Sequence, residues 1–299
     1  MAASDLSKLV TAIRAQAPAS GQSIDEFRMV LEAGARKLPM PEGVDVTAVT
    51  VGGVPAERID PVDQVGGRTL LYLHGGGYAL GSPTTGRAMA ARVALAGGAA
   101  VVSLDYRLAP EHPCPAAVND AVAAYDALRR DGLDSASLAL MGDSAGGGLV
   151  IATLVELRCR GAALPVGGVC ISPWVDLTLT AASVHSSPMD AECTPEILGR
   201  LGDAYRGGRS ADDPVASPLF ADLRGLPPLL IQVGGAEGLL DDAKRLAAVA
   251  SSASVDVTLQ EFDGMIHVWH RFAPRLREAN EAIEHIAAWL AVRWKGSMT

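Results

Sequence analysis

The chain has 299 residues, 49% of them hydrophobic and 20% charged, which supplies a buried core and leaves no compositional case for disorder. Its formal net charge of −9, without any cluster of Lys or Arg, argues against nucleic acid or an anionic membrane surface as the main partner. No apolar run approaches the roughly 18–20 residues needed to cross a bilayer, so no membrane insertion is expected.

In chain order, residues 1–43 read as helical and amphipathic in part, with Leu6, Leu9, Val10 and Ile13 spaced for one face. The opening Met1–Lys8 lacks the basic and apolar regions of a secretion signal. From residue 44 short β-like runs alternate with helix-like ones. Residues 44–51 and 54–59 read as a polar-alternating pair near a sheet edge. Residues 69–73 and 99–104 are continuous apolar runs of the kind buried on both faces of a parallel sheet. A helix is predicted over 116–130, then a strand before Ser144 and a helix after it. Strands follow at 166–171, 229–233 and 255–262, and helices at 241–251 and 274–294, the last opening with Pro274 at a first-turn position. This rhythm predicts an α/β fold, a mostly parallel sheet covered by helices on both faces.

Residues 176–213 break the rhythm. They are rich in Ser, Thr, Ala, Gly and Asp, with one helical candidate at 195–205. This insertion and the N-terminal segment 1–43 are expected to form a cap over one end of the sheet, leaving 44–175 and 214–299 as the catalytic domain. Ligands bind outside the C-terminal ends of strands in such sheets. Cys114, Cys159, Cys170 and Cys193 are scattered without metal-ligand spacing, so reduced thiols and a cytoplasmic location are expected.

Gly142-Asp-Ser-Ala-Gly146 fits G-x-S-x-G, the nucleophile elbow, between a clear strand and a clear helix. A serine on so sharp a turn needs glycine on either side, where strand and helix leave no room for side chains. Serine becomes a nucleophile only beside a base that is itself oriented by a carboxylate. Of six histidines, His185, His267, His270 and His285 lie downstream of Ser144. His285 sits within the last helix and His185 within the insertion. His267 follows a strand and the turn at Asp263-Gly264, which makes it the better base than His270, three residues further on. The loop after the strand at 229–233 offers Glu237, Asp241 and Asp242. The two aspartates serve as favourable charge in a first helical turn, whereas Glu237 stands between small residues, which points to Glu237 as the acid. His74-Gly-Gly-Gly77 follows a strand end and presents consecutive unobstructed amides, and Ala145 offers another, as an oxyanion needs. Neither a P-loop lysine nor a G-x-G-x-x-G run into a helix is present, so no nucleotide site, metal or organic cofactor is implied.

Five stretches carry a resemblance. They are His74–Gly77, Asp105-Tyr-Arg-Leu-Ala-Pro-Glu-His-Pro113, Gly142–Gly147, Leu239-Leu-Asp-Asp242 and Asp263-Gly-Met-Ile-His267. Together they resemble the bacterial hormone-sensitive-lipase-like (family IV) carboxylesterases of the α/β-hydrolase superfamily, over roughly residues 45–295. The resemblance implies a Ser144–Glu237–His267 triad, an oxyanion hole of Gly75, Gly76 and Ala145, short-chain acyl esters as substrates, and a homodimer formed through the last strand and its neighbours. Arg107 and Glu111 read as an ion-paired corner behind the site, and His74 as a hydrogen-bonding strut. Many relatives carry Asp-Pro-Leu where this chain has Glu237-Gly-Leu239, and His-Gly-Phe where it has His267-Val-Trp269. The second departure puts a bulky Trp269 near His267, where it is expected to reshape the pocket wall. An amidase or peptidase on the same triad, or a non-catalytic small-molecule-binding member of the fold, are the alternatives. The latter usually lacks a triad residue.

Overall fold

A computed structural model of the chain describes residues 10, 11, 13, 22–187, 189–273 and 275–296. Its strands are β1 (Val44–Val51), β2 (Val54–Pro61), β3 (Thr69–Leu73), β4 (Ala100–Leu104), β5 (Leu138–Asp143), β6 (Gly168–Ile171), β7 (Leu229–Gly234) and β8 (Val257–Phe262). They form one sheet in the order β1-β2-β4-β3-β5-β6-β7-β8. β2 runs antiparallel to both β1 and β4, and every pairing from β4 to β8 is parallel. The helices are α1 (Ile24–Ala35), α2 (Pro83–Gly97), α3 (Ala116–Arg130), α4 (Ala145–Cys159), α5 (Ala182–Ser186), α6 (Pro195–Arg206), α7 (Leu240–Ser252) and α8 (Arg277–Gly296). Among the described residues no helix is long and apolar enough to cross a membrane.

Side chains alternate between sheet faces, so each apolar strand feeds two cores. Leu71, Leu73, Val102, Leu140 and Ile231 pack with α3, α4 and α7 on one face. Leu70, Tyr72, Val101, Met141 and Leu230 pack with α2 and α8 on the other. Both faces of the central strands are therefore dry, which is what the unbroken apolar runs predict. β1, at the edge, has no buried residue, matching its polar alternation.

The expected strands and the helices at 116–130, 195–205 and 241–251 are found with ends within two residues of those read from the sequence. The last helix begins at Arg277, and Pro274 lies outside the described residues, as do Leu6 and Leu9. α2 is absent from the hydrophobic pattern. Its buried face is mostly small, including Gly86, Ala88, Ala90, Ala91 and Ala94, which gives a weak apolar period. Its start is written instead in Ser82, whose side chain accepts from the Thr84 amide, with Pro83 in the first turn.

Two expected contacts are corrected. Arg107 does not pair with Glu111. Its guanidinium meets Asp120 of α3 at 2.6 Å, and its amide donates to the same carboxylate at 2.9 Å. Glu111 instead accepts from Arg28 of α1 at 2.7 Å. Arg28 also donates to the carbonyls of Ala79 and Ala109, each at 2.9 Å, so the corner is braced through α1. Nor does Trp269 form a pocket wall. It is fully buried in the α2/α8 core, where its indole N–H donates to the Glu278 carbonyl at 3.2 Å.

The 176–213 insertion holds α5 and α6. Tyr205 of α6 stacks on Tyr78 with ring centroids 3.9 Å apart, and Arg200 donates to the Gln22 carbonyl at 2.5 Å while lying over Phe27 of α1. The N-terminal segment and the insertion thus meet beside the glycine loop after β3.

Candidate active site

β5 ends at Asp143 and α4 begins at Ala145, so Ser144 makes the whole turn between them. Its φ of 54° and ψ of −123° lie outside the regions non-glycine residues favour. Hydrogen bonds over-determine this geometry. The Ser144 amide donates to the Ile171 carbonyl at 2.8 Å, and its own carbonyl accepts from Trp174 at 3.0 Å and Gly148 at 3.2 Å. The flanking glycines are required by contact. A Cβ on Gly146 would lie 1.9 Å from the Leu73 carbonyl oxygen, and one on Gly142 would lie 2.3 Å from that of Gly146. The elbow therefore sits directly against the glycine loop, with the positive end of α4 behind it.

Asp143 fastens that loop. Its buried carboxylate accepts from the Tyr72 hydroxyl and, at 3.0 Å, from the Gly75 amide. Burial raises its pKa against the opposing pull of Tyr72, His267 and the Gly75 amide. With the Gly75 amide so engaged, the amides of Gly76, Gly77 and Ala145 have no acceptor among the described residues. His74 is a strut, as expected. Its ring stacks on Tyr106 at 4.2 Å and its Nδ1 lies 2.8 Å from the Gly75 carbonyl. Burial pushes its pKa down to about 4, which keeps it neutral.

Glu237 and His267 come together across the loops after β7 and β8. Glu237 is fully buried and His267 is 6% exposed. Glu237 Oε1 faces His267 Nδ1 at 3.8 Å, a coulombic contact longer than a hydrogen bond, and neither atom has a hydrogen-bond partner among the described residues. Glu237 Oε2 accepts from the Ser172 hydroxyl at 2.8 Å and the Gly234 amide at 3.2 Å. The same Ser172 oxygen accepts from the Val268 amide at 3.2 Å, so one serine ties the acid to the histidine loop. Burial pulls the His267 pKa down, but Glu237, Asp190 and Glu192 outweigh it and hold the imidazole above its ordinary value. Burial raises Glu237, opposed by His267 and Ser172.

The other candidates point elsewhere. Asp241 accepts from the Ser183 amide at 2.9 Å. Asp242 accepts from the amides of Val175 and Asp176 at 3.0 and 3.1 Å, and burial pushes its pKa up to about 7. His270 is buried against Gln232 Oε1 at 2.8 Å, and burial with the His267 charge pushes its pKa down to about 3. His185 and His285 are exposed. The space beside His267 is narrow, about 10 Å³, with walls that include Val10, Ile13, Met189 and Ile266. A larger open groove of about 670 Å³, bordered by Asn119, Tyr125, Arg129 and Arg160, touches none of these residues. Sequence reasoning missed Asp143, Ser172 and Asp190. The first was visible only as the variable position of G-x-S-x-G, and the others carry no local pattern.

The fold and this arrangement define an α/β hydrolase, and the sequence matches the model of the α/β-hydrolase fold over residues 70–271. It is 49% identical over 244 residues to an acetyl-hydrolase of Streptomyces hygroscopicus, covering 81% of each chain. It is 35% identical over 267 residues to an esterase of Acinetobacter venetianus, covering 87% of this chain and 86% of that one. The crystal structure of an esterase from the bacterial hormone-sensitive lipase family superposes with a TM-score of 0.95 at 44% identity, covering 98% of this chain and 99% of that one. The chain belongs to the bacterial hormone-sensitive-lipase-like esterases of the α/β-hydrolase fold and is an ester-hydrolysing enzyme.

Proposed function

We propose that the chain hydrolyses short-chain acyl esters through a covalent acyl-enzyme on Ser144, with His267 as base and Glu237 as acid. His267 takes the Ser144 proton as Oγ attacks the ester carbonyl, then returns it to the departing alkoxide. A water deprotonated by His267 then cleaves the acyl-enzyme to the free acid. Glu237 holds the Nδ1 proton of His267 and stabilises the imidazolium. The buried Glu237–His267 pair carries this reading, because an isolated charge would not persist there without its partner. For the oxyanion, Gly76 and Ala145 keep their expected role. Gly77 takes the place of Gly75, whose amide is committed to Asp143. The acetyl-hydrolase relative favours small acyl groups.

Residues 1–43 and 176–213 act as a cap in this reading, over a catalytic domain of 44–175 and 214–299. The open β8 edge, with Leu259 exposed, suits a homodimer. The test is a panel of p-nitrophenyl esters run beside fluorophosphonate labelling. Activity should fall steeply beyond about six to eight acyl carbons, a bound that follows from the family resemblance and the short insertion, and peptide mapping should place the adduct on Ser144. An adduct on Ser172, or preferred cleavage of long-chain emulsions, would overturn the proposal.

A further inference from the structure

The peptide that joins Glu237 to Gly238 is gripped from outside the sheet. Side chains of the insertion make the shortest hydrogen bonds to its flanking polar groups, and the strand–helix connection adds only the Leu240 amide, which donates to the Glu237 carbonyl at 3.4 Å. The Ser187 hydroxyl donates to the Glu237 carbonyl at 3.0 Å, the Ser183 hydroxyl to the Gly238 carbonyl at 2.6 Å, and the Gly238 amide to Asp190 Oδ2 at 2.8 Å. Asp190 is itself fixed, since its Oδ1 accepts from the amides of Glu192 and Cys193, each at 2.9 Å. Ser183 is fixed through a reciprocal pair with Asp241, at 2.9 and 3.1 Å. The approach is close enough to need glycine. A Cβ at Gly238 would sit 2.8 Å from the Cys193 carbonyl oxygen. Within its own loop the backbone holds Glu237 only by long bonds, from its amide to the Gly234 carbonyl and from the Leu240 amide to its carbonyl, each 3.4 Å.

We propose that Ser183, Ser187 and Asp190 of the insertion together position the acid Glu237, an inference that rests on Glu237 being the triad acid. The segment that borders the space beside His267 then also aligns the acid behind the base. Asp190 reaches both parts, because its carboxylate lies within 4.8 Å of a ring nitrogen of His267 and its Oδ2 holds Gly238. Loosening the segment lets the Glu237 carboxylate drift from Nδ1, and an error of about 1 Å in such a constellation costs on the order of a hundredfold.

The test is a double-mutant cycle on an activated butyrate ester, with Asp190→Asn measured in the native chain and in Glu237→Gln. Asn keeps the size of Asp190 but cannot accept with both ends. The expected result is a kcat about 10- to 100-fold lower in the native background and a loss below about twofold once Glu237 is already disabled, with KM nearly unchanged in both. Ser187→Ala deletes one hydroxyl from a half-buried site and gives a second, milder probe. It should lower kcat several-fold, and again only where Glu237 is intact. Equal losses in the two backgrounds, or losses confined to KM, would show the segment to be a substrate wall and overturn the brace alone. A Glu237→Gln variant at the native rate would remove the triad reading and the brace together.

Discussion

Around His267 the decisive comparison is between two carboxylates that sequence alone leaves close together. Glu237 faces His267, whereas Asp241 turns to the Ser183 amide. Glu237→Gln removes the charge that stabilises the imidazolium, and the same change of acid to amide in a related triad costs about 10⁴ in rate. We expect kcat to fall by about two to four orders of magnitude, and Asp241→Asn to cost roughly tenfold or less, since it loses one anchor and a helix charge of about 0.3–1 kcal/mol. Steady-state kinetics on both variants, with circular dichroism to confirm folding, decides the assignment. A crippled Asp241→Asn beside a mild Glu237→Gln would reverse it. The charges around the base also set a pH limb. Glu237, Asp190 and Glu192 raise His267, while Arg271 and the neutral His270 lie nearby. As the proposed base, His267 must be neutral to act, so kcat/KM should climb with pH through an apparent pKa above the ordinary value of 6.5. A limb well below that value would contradict the arrangement.

Among the elements, what the sequence discloses divides by the length scale of its cause. Strands buried on both faces announce themselves as apolar runs, and G-x-S-x-G and His-Gly-Gly-Gly are local because the tight turns they build are local. α2 hides because alanine packs closely without standing out as hydrophobic. Arg28, Ser172 and Asp190 hide because their partners Ala79, Glu237 and Gly238 lie 51, 65 and 48 residues further along the chain. The strap made by α1 is testable at this scale. Arg28→Ala removes the donors to two part-buried carbonyls and to Glu111, and leaving such acceptors without a partner costs roughly 1–3 kcal/mol. Thermal unfolding should shift down by about 2–6 °C. An unchanged midpoint would mean that α1 does not hold the 79–111 region.

Across the whole molecule, burial makes stability depend on pH through groups that take no part in the chemistry. His74 and His270 are depressed to about 4 and about 3, so the stability they contribute is present above the unfolded value of 6.5 and is lost as pH falls below it. Asp242 works in the opposite direction. Its folded pKa is raised from 3.8 to about 7, so the native state holds the proton more tightly than the unfolded chain, and stability falls as pH rises from about 4 to about 7. Burial is the main cause and the neighbouring Asp176 adds to it, while the Val175 and Asp176 amides and Arg245 resist. A shift of this size corresponds to up to about 4 kcal/mol lost by pH 7. Asp242→Asn keeps an acceptor oxygen for the two amides but carries no charge, so it should gain stability relative to the native chain at pH 8 and gain little at pH 4. Because His74, His267, His270 and Glu237 are common to both chains, their contributions cancel in the difference between the two unfolding curves. Denaturant unfolding of both proteins at the two pH values measures that difference, and an equal gap at pH 4 and pH 8 would show that folding does not raise the pKa of Asp242.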